Sequence, residues 1–96
     1  MSLRVRKDLL IHQFDYYEFE SEDVWQKATY EEPITIKNTR IDGNIIFVYA
    51  SDTTPFIEFK RRSKIVTSNG TFMINNITKI DEPFTNKIWS VELELI

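Results

Sequence analysis

The 96-residue chain contains no cysteine, one histidine and only two glycines, Gly43 and Gly70. Without cysteine there can be no disulfide, thiolate metal site or cysteine nucleophile. The lack of cysteine also fits an intracellular origin. Two isolated glycines leave no glycine-rich loop to cradle a phosphate. Long apolar runs are missing as well. Arg4, Arg6 and Lys7 look like the charged start of a secretory signal, but Asp8 follows, and the apolar run Leu9–Ile11 is too short for a signal core. It is also far below the roughly 20 apolar residues of a membrane span. Twelve basic residues against 15 acidic ones give a net charge of −3. No global positive field therefore exists to hold nucleic acid or an anionic membrane.

Aromatic residues are plentiful: seven Phe, four Tyr and two Trp make 14% of the chain. Large rings let a small core bury much area with few residues. The length is right for one domain spanning residues 1–96, which would bury only about 60–65% of the surface of its unfolded chain.

Periodicity of two dominates the chain. Leu10, His12, Phe14 and Tyr16 alternate with Ile11, Gln13, Asp15 and Tyr17, and Trp89, Val91, Leu93 and Leu95 alternate with Ser90, Glu92 and Glu94. Both stretches predict strands with one apolar face. Pro33 opens another strand, in which Ile34 and Ile36 share a face and Ile41 falls on the other. That change of parity predicts a bulge or a change of sheet near Asn38. Asp42-Gly43 predicts a tight turn. Ile45–Ala50, apolar on both faces, predicts a strand buried on both sides. Lys64–Thr67 and Thr71–Ile80 predict a hairpin about Asn69-Gly70. Glu20–Pro33 reads as a long acidic loop with room for a short helical turn, residues 51–63 are irregular, and a last loop runs through Asp81-Glu82-Pro83 and Thr85-Asn86. Short strands joined by turns, with no helical crossovers, predict an all-β fold: a small antiparallel β-barrel or sandwich with long loops.

Little in this pattern carries chemistry. His12 shares its face with Leu10, Phe14 and Tyr16, and reads as a buried, hydrogen-bonded histidine. Asp8 and Asp15 are its nearest carboxylates, but Asp15 points to the opposite strand face, which argues against a metal site. Glu92 and Glu94 are neighbours on one face. Paired carboxylates can act as acid and base, but here the opposite face is the apolar one, so the pair faces water. No nucleophile–base pairing is readable, so no enzyme activity and no cofactor are expected.

Lys60-Arg61-Arg62-Ser63-Lys64 is the one basic cluster, preceded by Phe56 and Phe59. Such a group could contact phosphates and stack bases. The acidic total favours instead a solvated loop balancing the acidic segment 20–32. A third option is the acidic loop of one subunit meeting the basic loop of the next. Trp89 keeps step with Val91 and reads as core. Trp25 has no periodic partner; it is either an interface anchor or folds back onto the barrel.

Leu9-Leu10-Ile11-His12 with Phe14 and Tyr16, Pro33-Ile34-Thr35-Ile36 leading to Asn38 and Arg40, Ser63-Lys64-Ile65, Gly70–Ile74 and Val91-Glu92-Leu93-Glu94-Leu95 occur in an order that resembles the minor capsid proteins of tailed bacteriophages, in the head-completion (head-to-tail joining) group. The resemblance implies a structural virion protein, made in the bacterial host cytoplasm and located at the head–tail joint. It implies a ring homo-oligomer in the particle and a monomer when isolated. Its expected partners are the portal or its adaptor and tail-completion proteins. No membrane is involved, and nucleic acid is met only through proximity to packaged DNA. The loop around Ser51–Pro55 is shorter than the resemblance leads one to expect, so no channel-closing residue is assigned. Trp25, Tyr30, Lys60, Arg61 and Arg62 are the candidate interface residues. The alternative function is a small single-stranded nucleic-acid-binding barrel.

Overall fold

A computed structural model describes residues 10–25, 27–84 and 87–96. Arg4, Arg6, Lys7, Asp8, Leu9, Thr85 and Asn86, weighed above, lie outside the described residues. The strands are β1 (His12–Tyr17), β2 (Phe19–Glu22), β3 (Ala28–Tyr30), β4 (Ile34–Asp42), β5 (Ile45–Tyr49), β6 (Lys64–Thr67), β7 (Gly70–Asp81) and β8 (Ile88–Leu95). No helix occurs among the described residues. Six strands close into an antiparallel barrel in the order β1-β4-β5-β8-β7-β6, with β1 pairing β6 to complete the circuit. Closure removes the free sheet edges that would otherwise template aggregation. β2 and β3 form a separate two-stranded sheet inserted between β1 and β4.

The core is what the alternation predicts for these strands. Phe14 and Tyr16 of β1, Ile36 of β4, Ile46 and Val48 of β5, Ile65 of β6, Ile74 of β7 and Val91, Leu93 and Leu95 of β8 are all buried. Each such side chain stabilises the fold by about 1.5–3 kcal/mol. The change of parity in β4 has a local cause. Asn38 sits at φ 60°, in the left-handed region, so the inward positions run Ile36, Thr39, Ile41. At the same place β4 leaves β1 and pairs with β5 from Arg40 onward. Gly43, at φ 61°, turns the chain from β4 into β5, a conformation that costs a side chain energy.

Several elements differ from the sequence reading. The expected loop 20–33 contains the β2–β3 hairpin. β5 is not buried on both sides: Ile46 and Val48 are enclosed, whereas Ile45, Phe47 and Tyr49 are half-buried on the outer face. Trp89 is half-buried, its ring tilted against that of Tyr49 at 5.7 Å, and Ser90 takes a buried position beside a register shift in β7–β8. The β6–β7 turn is centred on Ser68-Asn69, one residue earlier than expected, with Gly70 already paired to Thr67.

The connection 50–63 is irregular, as predicted, but firmly held. Buried Thr53 accepts the Tyr49 N–H at 2.9 Å and donates to the Asn38 carbonyl at 2.9 Å. Phe59 folds inward to meet Tyr16 edge-on at 5.0 Å, so it is a core ring and not a base-stacking platform.

Candidate assembly surface

The β2–β3 hairpin stands on the barrel through side chains contributed from far along the chain. The Phe19 N–H donates to the Ser63 hydroxyl at 2.9 Å. Arg62, just before β6, pairs with Glu22 and lies over the Phe19 ring, 4.4 Å from its centroid. The Lys64 ammonium sits 4.2 Å from the Tyr17 ring centroid and 5.1 Å from that of Tyr30. Lys60 reaches Glu18 at 3.6 Å. One ion pair, Arg62 with Glu22, thus joins the basic cluster to the acidic segment 20–32 within one chain, and Lys60 meets Glu18 just before that segment. Arg61 turns elsewhere and donates from Nε to the Asn75 carbonyl of β7 at 3.0 Å.

Within the hairpin, the Phe19 and Tyr30 rings meet edge-on at 6.4 Å, and the Ser21 and Thr29 hydroxyls lie 3.0 Å apart. Such cross-strand pairs are the unit of stability in a two-stranded sheet. The Asp23 carboxylate shapes the turn by accepting the N–H groups of Trp25 and Lys27 at 2.9 and 2.8 Å. The tip then presents Val24 and Trp25 to solvent, 90% and 84% exposed. Of the two readings of Trp25, folding back onto the barrel does not occur. Side-chain positions are thus set by the turn at one end and by the basic brace at the other.

Beneath the brace lies a buried polar knot. The Tyr16 hydroxyl is 3.2 Å from that of Ser63 and accepts the Lys60 N–H at 2.9 Å. Burial raises the Tyr16 phenol above its ordinary pKa of 10.0, against the opposing pull of the Ser63 and Lys60 hydrogen bonds.

Two further concavities bound what chemistry is available. A largely polar one of about 460 Å³ lies between the start of β1 and the β6–β7 turn, and His12 lines it. His12 is half-buried, and its Nδ1 accepts the Ile41 N–H at 3.0 Å. The histidine is thus hydrogen-bonded as expected, though not fully enclosed. Glu94 is exposed and accepts from the Asn75 amide at 3.3 Å. Among the described residues no group of three or more His, Cys, Asp or Glu is placed to hold a metal. The second concavity, about 290 Å³, is an apolar groove lined by Phe56, Ile57, Phe59, Ile77, Ile88 and Val91, with Glu58 and Lys79 at its edge.

Of the five residues singled out from sequence, Tyr30, Lys60 and Arg62 converge on the hairpin base, Trp25 occupies its tip, and Arg61 faces β7. Sequence reasoning missed Phe19 in the brace, Val24 at the tip, and the groove, and saw Glu22 and Lys64 only as members of the acidic segment and the basic cluster. Only the Asp23-to-Lys27 turn spacing offered a local signal for the hairpin.

What these features define is a closed β-barrel with a braced, projecting hairpin. Residues 6–44 are similar to a protein family described as minor capsid protein. That span includes β1, the whole hairpin and β4. No curated protein matches the chain, and no solved structure does. The family match supports a structural protein of the bacteriophage virion, in contact with other virion proteins. A structural family of this kind is consistent with a protein that is not an enzyme.

Proposed function

We propose that the protein is a head-completion component of a tailed phage, assembling at the portal vertex between the portal or its adaptor and the tail-completion proteins. The observation that supports this reading is the hairpin itself. The family-matched segment builds a projecting hairpin, braced at its base, whose tip side chains Val24 and Trp25 are apolar and exposed. Exposed large apolar groups on a held scaffold are what a docking surface requires, because tryptophan is a favoured interface anchor. Trp25 leads the contact, and Tyr30, Lys60 and Arg62 serve it by holding the hairpin base. Arg61, which faces β7, takes no part in holding the hairpin. The mechanism is assembly by surface complementarity.

The nucleic-acid alternative loses its main support. Lys60, Arg62 and Lys64 are engaged by Glu18, Glu22 and aromatic rings, and Phe59 is buried. Deleting the gene in an inducible lysogen and imaging the lysate by negative-stain electron microscopy tests the proposal. Free tails beside DNA-filled or leaking heads are expected. Intact virions would overturn it, and a steeply salt-dependent affinity for single-stranded DNA would then restore the alternative.

A further inference from the structure

We infer that the Val24–Trp25 tip of one subunit docks into the apolar groove between the 56–59 segment and β7–β8 of a second copy. One chain leaves two apolar surfaces open, the hairpin tip and the groove. The tip is an apolar knob on a shaped turn: Asp23 accepts two N–H groups across it, and the Arg62–Glu22 pair braces its base. The groove is a small apolar hole lined by Phe56, Ile57, Ile77, Ile88 and Val91. At about 290 Å³ it lies at the lower limit of ligand-sized pockets, suited to one large side chain and not to a folded segment. Charge is also compatible: the tip is flanked by Asp23 and exposed Lys27, and the groove edge carries Glu58, 83% exposed, and Lys79, paired only at 3.7 Å, so each sign has an opposite to meet across the contact.

Tip and groove are different surfaces of the same molecule, so the contact is heterologous. Repeated, it closes into a ring or runs on as a filament. One aromatic buries only about 150–250 Å², well below the roughly 1,200 Å² of a stable interface. The contact is therefore weak between free subunits and becomes strong only when copies are arrayed on a neighbouring ring. This deepens the assembly reading above and borrows from it only the setting, because the contact itself can be trapped in purified protein.

The absence of native cysteine makes the trap clean. One variant carries Val24→Cys and the other Glu58→Cys; both positions are exposed, so neither disturbs the core. An equimolar mixture is oxidised at high protein concentration. The expected product is the Val24–Glu58 heterodimer in excess over both homodimers. Adding Trp25→Ser to the first chain, or Ile77→Lys to the second, is expected to lower that yield about tenfold, as loss of an interface anchor does. Far-UV circular dichroism verifies that each chain is folded, and Trp25→Ser, at an exposed tip, keeps the test decisive if Ile77→Lys fails to fold. A statistical mixture of dimers, or a heterodimer yield indifferent to Trp25→Ser, would overturn the inference. If the cross-link forms but gene deletion leaves virions intact, the contact stands and the head–tail placement falls.

Discussion

Tyr16 and Ser63, 47 positions apart in sequence, are both fully buried and join their hydroxyls at 3.2 Å in the barrel wall. Through this pair β1 is tied to the start of β6, and the same two oxygens accept the N–H groups of Lys60 and Phe19. One polar knot thus sets the connection 50–63 above the barrel and the first residue of the hairpin. Tyr16→Phe removes the only polar atom of that ring and leaves the Lys60 N–H without its acceptor. The expected cost is about 1–3 kcal/mol. Ser63→Ala should cost a similar amount. Because the residues share one network, the double variant should lose less than the sum, with a coupling of about 0.5–3 kcal/mol. Urea midpoints of the four proteins check this, and strict additivity would show that the knot is not a unit.

Alkaline pH reports on the same residue. Burial raises the Tyr16 phenol above 10.0, and burial also raises Tyr49, with Glu92 adding to the rise and Arg40 opposing it. The neutral phenol is the form the fold prefers. Below pH 10.0 both states hold the proton, and these groups add no pH dependence. Above it the unfolded chain ionises first, so stability falls as pH rises towards the folded-state value. Each such group steepens the loss by up to about 1.4 kcal/mol per pH unit. Tyr16→Phe should therefore be less stable than the parent at neutral pH but show a shallower alkaline decline. An unchanged slope would mean that the phenol ionises as readily in the fold as in the unfolded chain.

The hairpin brace separates two effects at one position. Arg62 holds Glu22 and covers Phe19, yet its backbone sits at φ 70°, where a side chain is strained. Glycine relieves that strain and removes the brace; alanine keeps the strain and removes the brace. Arg62→Gly should be about 1 kcal/mol more stable globally than Arg62→Ala. Both should speed hydrogen exchange at the β2 and β3 amides while leaving β8 protected. Since the brace is half-exposed, its direct contribution is small, about 0–1 kcal/mol, and salt should weaken it. Exchange rates in the hairpin that ignore both substitutions and salt would show that its other contacts, among them Phe19–Tyr30 and the Phe19 N–H to Ser63, hold it without Arg62.

The barrel was readable from sequence where one strand face meets the core and the other meets water. β8 and β1 show period two because Val91, Leu93 and Leu95, and Phe14 and Tyr16, must point inward. The hairpin was not readable for the converse reason. β2 and β3 are only four and three residues long and hold no buried residue, so Phe19–Glu22 and Ala28–Tyr30 are too short for an alternation to be read. Their stability comes from pairs across the turn and from cations some 40 positions away, as with Arg62 and Glu22. Phe59 was equally hidden, because its burial is decided by a tertiary contact with Tyr16 and not by a local period. The candidate site followed the same division. Composition showed an acidic segment and a basic cluster, but only the fold shows that Arg62 meets Glu22 within one chain and that Val24 and Trp25 stand exposed at the hairpin tip.

His12 illustrates a single residue used as a structural joint. Its Nδ1 accepts the Ile41 N–H at 3.0 Å, and its carbonyl accepts the hydroxyl of buried Thr39 at 2.9 Å. Both bonds fall where the β1–β4 register shifts between His12 and Phe14, so they replace ladder bonds that the bulge removes. His12→Ala leaves the Ile41 N–H without its acceptor at a half-buried position, and Thr39→Val leaves the His12 carbonyl without its donor. Each should cost about 1–2 kcal/mol, or several degrees in Tm for a domain of this size. If His12 instead served a ligand in the polar concavity it lines, His12→Ala would leave Tm almost unchanged. A Tm loss matched by that of Thr39→Val identifies the histidine as part of the barrel seam, and thermal melts of the two variants distinguish these outcomes directly.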